Sequence, residues 1–277
     1  MARPVALPRP AALPSSRGAA AFLLMLLVGA VVAPVIAPYA ADALDLANRR
    51  AAPSVAHWFG TDELGRDVLT RVLFGARVSL AIGLLSALAS AGIGVVIGST
   101  AGYVGRWIDD LLMRLTDAML AVPRLPLLML AAAVVQPGVP LLIVLVGCTG
   151  WMETARVVRA DVQSLRTRDY VQAARAIGAP PVRVLLRHLL PAVVPTASVA
   201  TTLAIGRGIL LESTMSFFGL GVQPPTASWG NMLYQAQTTM SSEPWLAISP
   251  GLFIFATVLT CNVVGDALGR PASPSTS

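Results

Sequence analysis

Five ionisable side chains, Asp117, Arg124, Glu153, Arg207 and Glu212, fall within stretches that are otherwise apolar. A charge placed in lipid costs about 2.5–3.5 kcal/mol or more, so each needs a partner or a polar path. The chemistry they suit is holding or passing a polar solute. No Ser-His-Asp, His-x-x-Glu-His or clustered-carboxylate pattern shares a helical face, which leaves catalysis without an assembled nucleophile and base. Asp117 and Glu153 sit near the ends of their runs, where pairing with the neighbouring Arg114 and Arg156 accounts for them. Arg124 stands between Pro123 and Pro126, where a broken helix frees carbonyls that a guanidinium can satisfy. Arg207 lies deeper in its run. It points about 140° away from Glu212 on a helix, so the two make a poor internal pair. Arg207 is therefore the first candidate for a transport pathway, with Arg124 and Glu212 behind it.

The segment 161–191 is a second concentration of chemistry-bearing residues. Asp169 and Gln172 have the spacing of a capping box, which starts a helix near Tyr170. Val171, Ala173, Ala174, Ile177 and Gly178 give that helix a small-residue surface broken by Arg175, and the run Gly178-Ala179-Pro180-Pro181 stops it. A second short helix follows from Pro181, with Val182, Leu185, Leu186 and Leu189 on one face and Arg183 and Arg187 on the other, ending at Pro191. His188, at that end, suits hydrogen bonding to terminal carbonyls better than a proton relay. A solvated linker needs no small-residue face and no double stop. A short rigid helix received in another protein's groove needs both.

The elements that must carry these residues are membrane helices. Of 277 residues 55% are hydrophobic and only 12% charged, with a mean hydropathy of +0.71, an excess that has to face lipid. Six apolar stretches are long enough to cross a bilayer of about 30 Å, namely 19–37, 78–103, 115–135, 140–158, 192–211 and 245–264. The first, preceded by Arg3, Arg9 and Arg17 and followed by Ala41 and Ala43, also has the outline of a cleaved signal peptide; its length and the membranous remainder favour an uncleaved span. In the second, Ser86, Ser90, Gly94, Gly98 and Gly102 set a small residue at every fourth position, a seam for close helix packing rather than a by-product of composition. Residues 61–77 read as an external amphipathic helix, with Leu64, Val68, Leu69, Val72, Leu73 and Ala76 on one face. Its acids Asp62, Glu63 and Asp67 are read as helix N-terminal residues in preference to a cation site. Cys148 and Cys261 lie in apolar runs without metal-type spacing and read as small core residues.

All twenty basic residues are Arg. Without Lys there is no P-loop and no Schiff base, so ATP, if it drives this protein, is bound by another chain. With the N-terminus in the cytoplasm, thirteen Arg fall inside and five outside, which supports N-in and C-in by the positive-inside rule. The same bias explains the net charge of +6 without nucleic acid.

The motif Tyr170-Val171-Gln172-Ala173-Ala174-Arg175-Ala176-Ile177-Gly178, with His188-Leu189-Leu190-Pro191, resembles the EAA loop of permease subunits of bacterial ABC importers. Residues 59–67, 75–80, 216–225, 228–232 and 262–266 extend the resemblance to the dipeptide, oligopeptide and nickel permease group, from about Trp58 to Arg270. It implies an all-α, polytopic type I permease fold of six transmembrane helices: a tail 1–18, a first helix 19–37, an extracytoplasmic loop 38–77, a core 78–266 holding the coupling loop 161–191, and a tail 267–277. It further implies residence in the bacterial inner membrane, a second permease subunit in a heterodimer, two ATPase subunits that carry ATP and Mg, an extracytoplasmic solute-binding protein, and no cofactor or metal on this chain. Coupling to the ATPase would rest on Asp169, Tyr170, Gln172, Ala173, Ala174, Gly178, Arg183 and Arg187. Gln172 stands where that group usually has Glu, which removes a possible ion pair while retaining the capping role. Peptides are the expected substrate, with nickel or another small solute behind. A secondary transporter, the rival class, would favour paired midplane carboxylates and inverted repeats, and neither is visible.

Overall fold

The computed structural model describes residues 16–269; the expectations for most of the N-terminal tail, and for the Ser/Pro-rich end beyond Gly269, lie outside the described residues. Helix α1 (Ser16–Ile36) is followed by a loop and then by the longest helix, α2 (Val68–Val104). At 37 residues and 1.5 Å per residue, α2 is about 55 Å long and overreaches the hydrocarbon core. Next come α3 (Arg106–Ala121), α4 (Arg124–Val134), α5 (Val139–Cys148), α6 (Trp151–Leu165) and α7 (Asp169–Ala176). One turn, α8 (Pro181–Val184), leads through a π segment, Leu185–Leu189, into α9 (Leu190–Phe217). The short α10 (Trp229–Ala236) and the last span, α11 (Trp245–Gly269), complete the order. Among the described residues five helices or helix pairs are long and apolar enough to cross a membrane, and six if the bent pair α3 and α4 counts as one.

Three sequence expectations need correction. The external helix 61–77 does not form as such: residues 61–67 make a tight turn closed by a bridge between Thr61 and Asp67. Gly60 and Gly65 there have φ of +75° and +76°, outside the helical region. The helix starts only where the Asp67 carboxylate accepts the Thr70 N–H at 2.8 Å and then runs on without a break into the membrane. The run 115–135 is not one straight helix, because α3 and α4 meet at 80°. Pro123 forces Val122 into extended backbone (φ −80°, ψ 125°) and so ends the first half. Pro191 likewise ends nothing. The register change immediately before it, in which the Leu190 N–H reaches the Leu185 carbonyl, absorbs the hydrogen bond that proline cannot make, and the helix continues.

The core sits where α2 crosses its neighbours, its most extensive contact being with α6 and the next with α9. Ser86, Ser90, Gly94, Gly98 and Gly102 are all buried. A Cβ on Gly98 would collide with the Ala155 carbonyl oxygen, and one on Gly102 would lie 2.8 Å from the Arg159 carbonyl oxygen. This backbone-to-backbone approach is what a small-residue seam permits in lipid, where there is no hydrophobic drive between helices. Leu26 and Ala30 of α1 join Val72, Ala76, Leu80, Ile209, Trp229 and Ile254 in one cluster, so α1 packs as part of the bundle.

Candidate functional site

The segment between α6 and α9 carries one surface. Val171 and Ala174 of α7 are buried and cluster with Val158, Val162, Val184 and Leu189, whereas Gln172, Ala173, Arg175, Ala176 and Gly178 are exposed. Two small apolar anchors, one turn apart, thus fasten the helix and leave its other side bare. Tyr170 and Val182 are exposed too, and Ile177 is 86% exposed; Arg183 and Arg187 are exposed as well. Gly178, at φ +85°, makes the left-handed turn that reverses the chain.

The capping box expected at Asp169 and Gln172 is absent. Arg168 occupies the cap position in extended backbone (φ −70°, ψ 147°), which places Asp169 inside the first turn, where its charge meets the positive end of the helix dipole. Gln172 instead donates from Nε2 to the Arg166 carbonyl at 2.9 Å. Two contacts tie this region to the C-terminal end of α2: the Arg175 guanidinium lies 4.9 Å from the Tyr103 ring centroid, and Arg166 Nη1 donates to the Gly102 carbonyl at 3.1 Å. Asp109 of α3 holds α6 through a forked pair with Arg159 and accepts from Gln163 Nε2 at 3.0 Å. Sequence spacing gave no sign of Tyr103 or Asp109, since each works across a distance of fifty residues or more.

Deeper in the bundle, the five in-span charges part ways. Asp117 pairs with Arg156, 39 residues on, and not with the neighbouring Arg114. Glu153 also leaves its neighbour: it reaches across to α9 and pairs with Arg207 rather than with Arg156, a correction to the local reading. Arg124 does satisfy a freed carbonyl, but one at the neighbouring break: Nη2 donates to the Val146 carbonyl at 2.7 Å, and Nε donates to the Thr149 hydroxyl at 3.1 Å. Arg124 and Arg207 then line one crevice with Ser86, Ser90, Gly150 and Gly208. A wider, mostly apolar groove of about 400 Å³, with Glu153, Thr196 and Asn262 on its walls, begins at the same Arg207.

Glu212 lies apart from this pair and is wholly buried. Its carboxylate accepts from Ser79 Oγ at 3.0 Å and from Ser216 Oγ at 2.8 Å. Those hydroxyls accept in turn from the Trp229 N–H at 3.1 Å and the Val222 N–H at 3.0 Å. One carboxylate therefore joins α2, α9 and the chain entering α10. Facing the opposite end from α7, the 61–67 turn is held by Asp62. Its carboxylate bridges Arg66 Nε at 2.7 Å and Arg71, and accepts the Leu64 and Arg66 N–H groups at 2.9 and 3.0 Å. Burial would raise the Asp62 carboxyl, but the Arg71 and Arg66 guanidiniums and those two N–H groups hold it below its ordinary value. His57 Nδ1 lies 3.0 Å from Asp67 Oδ1. Among the described residues no group of three or more His, Cys, Asp or Glu is placed to hold a metal ion.

An anchored α7 with a bare face thus accompanies broken spans that hold charged side chains between them. The chain is 40% identical over 253 residues to a dipeptide transport system permease protein of Bacillus subtilis (strain 168), covering 91% of this chain and 79% of that one. It is 41% identical over 257 residues to a glutathione transport system permease protein of Escherichia coli O6:K15:H31, covering 92% and 85%, and 42% identical over 257 residues to its counterpart in Shigella dysenteriae serotype 1. Residues 94–276, which take in the 161–191 segment together with Arg124, Glu153 and Arg207, match the family of binding-protein-dependent transport system inner membrane components. The chain belongs to that family, as a multi-pass permease subunit of the inner membrane.

Proposed function

We propose that this chain forms one half of the membrane pathway of a peptide importer driven by ATP. The observation that carries the reading is the two-sidedness of α7, buried at Val171 and Ala174 and bare around Tyr170 and Ile177. An exposed apolar residue on a short, fastened helix fits a groove in a partner. That partner is an ATPase subunit, of which two serve the pair of permeases and hold ATP and Mg on their own P-loops. Arg183 and Arg187 flank the docking face. The second half of the pathway is another permease subunit in a heterodimer, and an extracytoplasmic solute-binding protein delivers the substrate to the side of the 61–67 turn. Both termini lie in the cytoplasm, in line with the Arg bias. Closure of the ATPase pair moves α7, and the contacts of Arg175 with Tyr103 and Arg166 with Gly102 pass the displacement to α2 as a rigid body.

The relatives named for dipeptides and glutathione transport short, amide-linked molecules with ionised ends, and peptides are the substrate class proposed here. Affinity purification of the tagged chain in mild detergent tests the assembly: a P-loop ATPase and a second permease co-purify. Substituting Ile177→Asp on the bare face releases the ATPase and leaves the permease pair intact. A purified chain with no ATPase attached contradicts the reading.

A further inference from the structure

The crevice between α2, α5 and α9 contains more positive charge than its own chain balances. Arg124 bonds only neutral oxygens, those of Val146 and Thr149, and no carboxylate lies within ion-pair distance of it among the described residues. Arg207, on the same crevice, has one carboxylate partner, Glu153, and both members of that pair are about half open to the groove, at 41% and 59% side-chain exposure. The third observation is independent of charge. Ser90 is 3% exposed and lines the crevice, yet its Oγ has no hydrogen-bond partner. A buried hydroxyl without a partner costs about 1–3 kcal/mol, and an acceptor that arrives only at some stage of a cycle resolves it. Two guanidiniums and a spare O–H converging on one crevice describe a receptor for a carboxylate.

The crevice leaves about 10 Å³ free, about the space of one water-sized group, so it takes an oxygen of a solute's carboxylate and none of its body. The body has the groove of about 400 Å³ that opens from Arg207, lined by apolar side chains and by Glu153 and Asn262. We infer that Arg124, Arg207 and Ser90 receive the terminal carboxylate of the transported peptide while Glu153 receives its ammonium, the Glu153–Arg207 pair being the arrangement that the zwitterion exchanges into. The inference rests on the peptide reading above and adds to it a site on the permease. The exchange leaves net charge unchanged. Glu153 trades a guanidinium for an ammonium, Arg207 trades a side-chain carboxylate for the peptide's, and Arg124 gains a counter-ion. A solute with only one of the two charges leaves Glu153 or Arg207 unpaired in the bundle, and is disfavoured on that account.

Maximal uptake rates at saturating loaded binding protein test this on the complete importer in proteoliposomes, with dialanine, its C-terminal amide and its N-acetyl form. The free acid is carried faster than the amide. Arg207→Gln lowers the acid-to-amide ratio about tenfold, Ser90→Ala lowers it about threefold, and Arg207→Lys largely restores it. Glu153→Gln acts on the ratio of free to acetylated amino ends. A structural role lowers every rate together and leaves the ratios alone. The second measurement needs no binding protein: millimolar dialanine raises the unfolding midpoint of the purified importer more than dialanine amide or acetate, and Arg207→Gln removes the difference. Equal responses to acid and amide in both measurements overturn the site while leaving the peptide importer standing. An importer that carries no peptide in any form overturns the peptide reading and the site with it.

Discussion

Glu212 and Asp62 show how a carboxylate in this protein is made harmless or useful by its neighbours. Glu212 is surrounded by hydroxyls, and three of them, on Ser79, Ser213 and Ser216, point at it. Its replacement by Ala strands donors in a buried space, so Glu212→Ala costs about 2–4 kcal/mol of stability. Glu212→Gln, which keeps one acceptor oxygen, costs less. Thermal unfolding of the purified protein in detergent orders the three chains. Asp62 is the residue whose effect depends on pH. Because its folded carboxyl titrates below the ordinary 3.8, its contribution is complete above that value and is lost as pH falls through the folded one. Unfolding midpoints between pH 7 and pH 3 therefore decline less steeply for Asp62→Asn than for the native chain. Both carboxylates stand out in the sequence as acids near apolar runs. Their partners do not, because Ser79 and Glu212 lie 133 residues apart and no periodicity links them.

At the scale of elements, the seam between α2 and α6 and the turn at Gly178 make separate claims. Gly98 has no room for a side chain against Ala155 and Val158, whereas Gly92, one and a half turns earlier on the same helix, faces open space. Gly98→Leu separates the helices at a cost of about 1–3 kcal/mol or more, and Gly92→Leu does not; the folded fraction on size-exclusion chromatography distinguishes them. Gly178 has free space around it but a φ of +85°, so Gly178→Val strains only the backbone, by about 1–3 kcal/mol. The expected phenotype is continued ATP hydrolysis with reduced uptake and normally folded spans. The four-residue spacing of small side chains was legible in the sequence because helical periodicity preserves it. The helix that fills the seam was not, and neither was the break at Thr149 and Gly150, hidden within an apolar run that reads as one span. The misplaced cap at Asp169 has the same origin: Arg168 carries no capping signal, and its extended backbone is set by the bonds of Val171 and Gln172 N–H to its carbonyl.

For the whole molecule, the sequence revealed a membrane bundle because hydropathy constrains every span, and the absence of Lys excludes a P-loop. It did not reveal how the charges combine, since Glu153 with Arg207 and Arg124 with Val146 are products of the bundle's closure. The orientation is tested by single-cysteine variants in intact cells: a cysteine at Leu64 reacts with a membrane-impermeant maleimide, and one at Arg168 reacts only after the cells are opened. The central claim, that this chain conducts peptides inward at the expense of ATP bound elsewhere, is tested most directly by reconstitution. Proteoliposomes containing this chain, its permease partner and the ATPases should accumulate labelled dialanine only when ATP is present on the ATPase side and the binding protein on the other. Accumulation that persists without ATP, or follows an imposed ion gradient instead, would contradict the account.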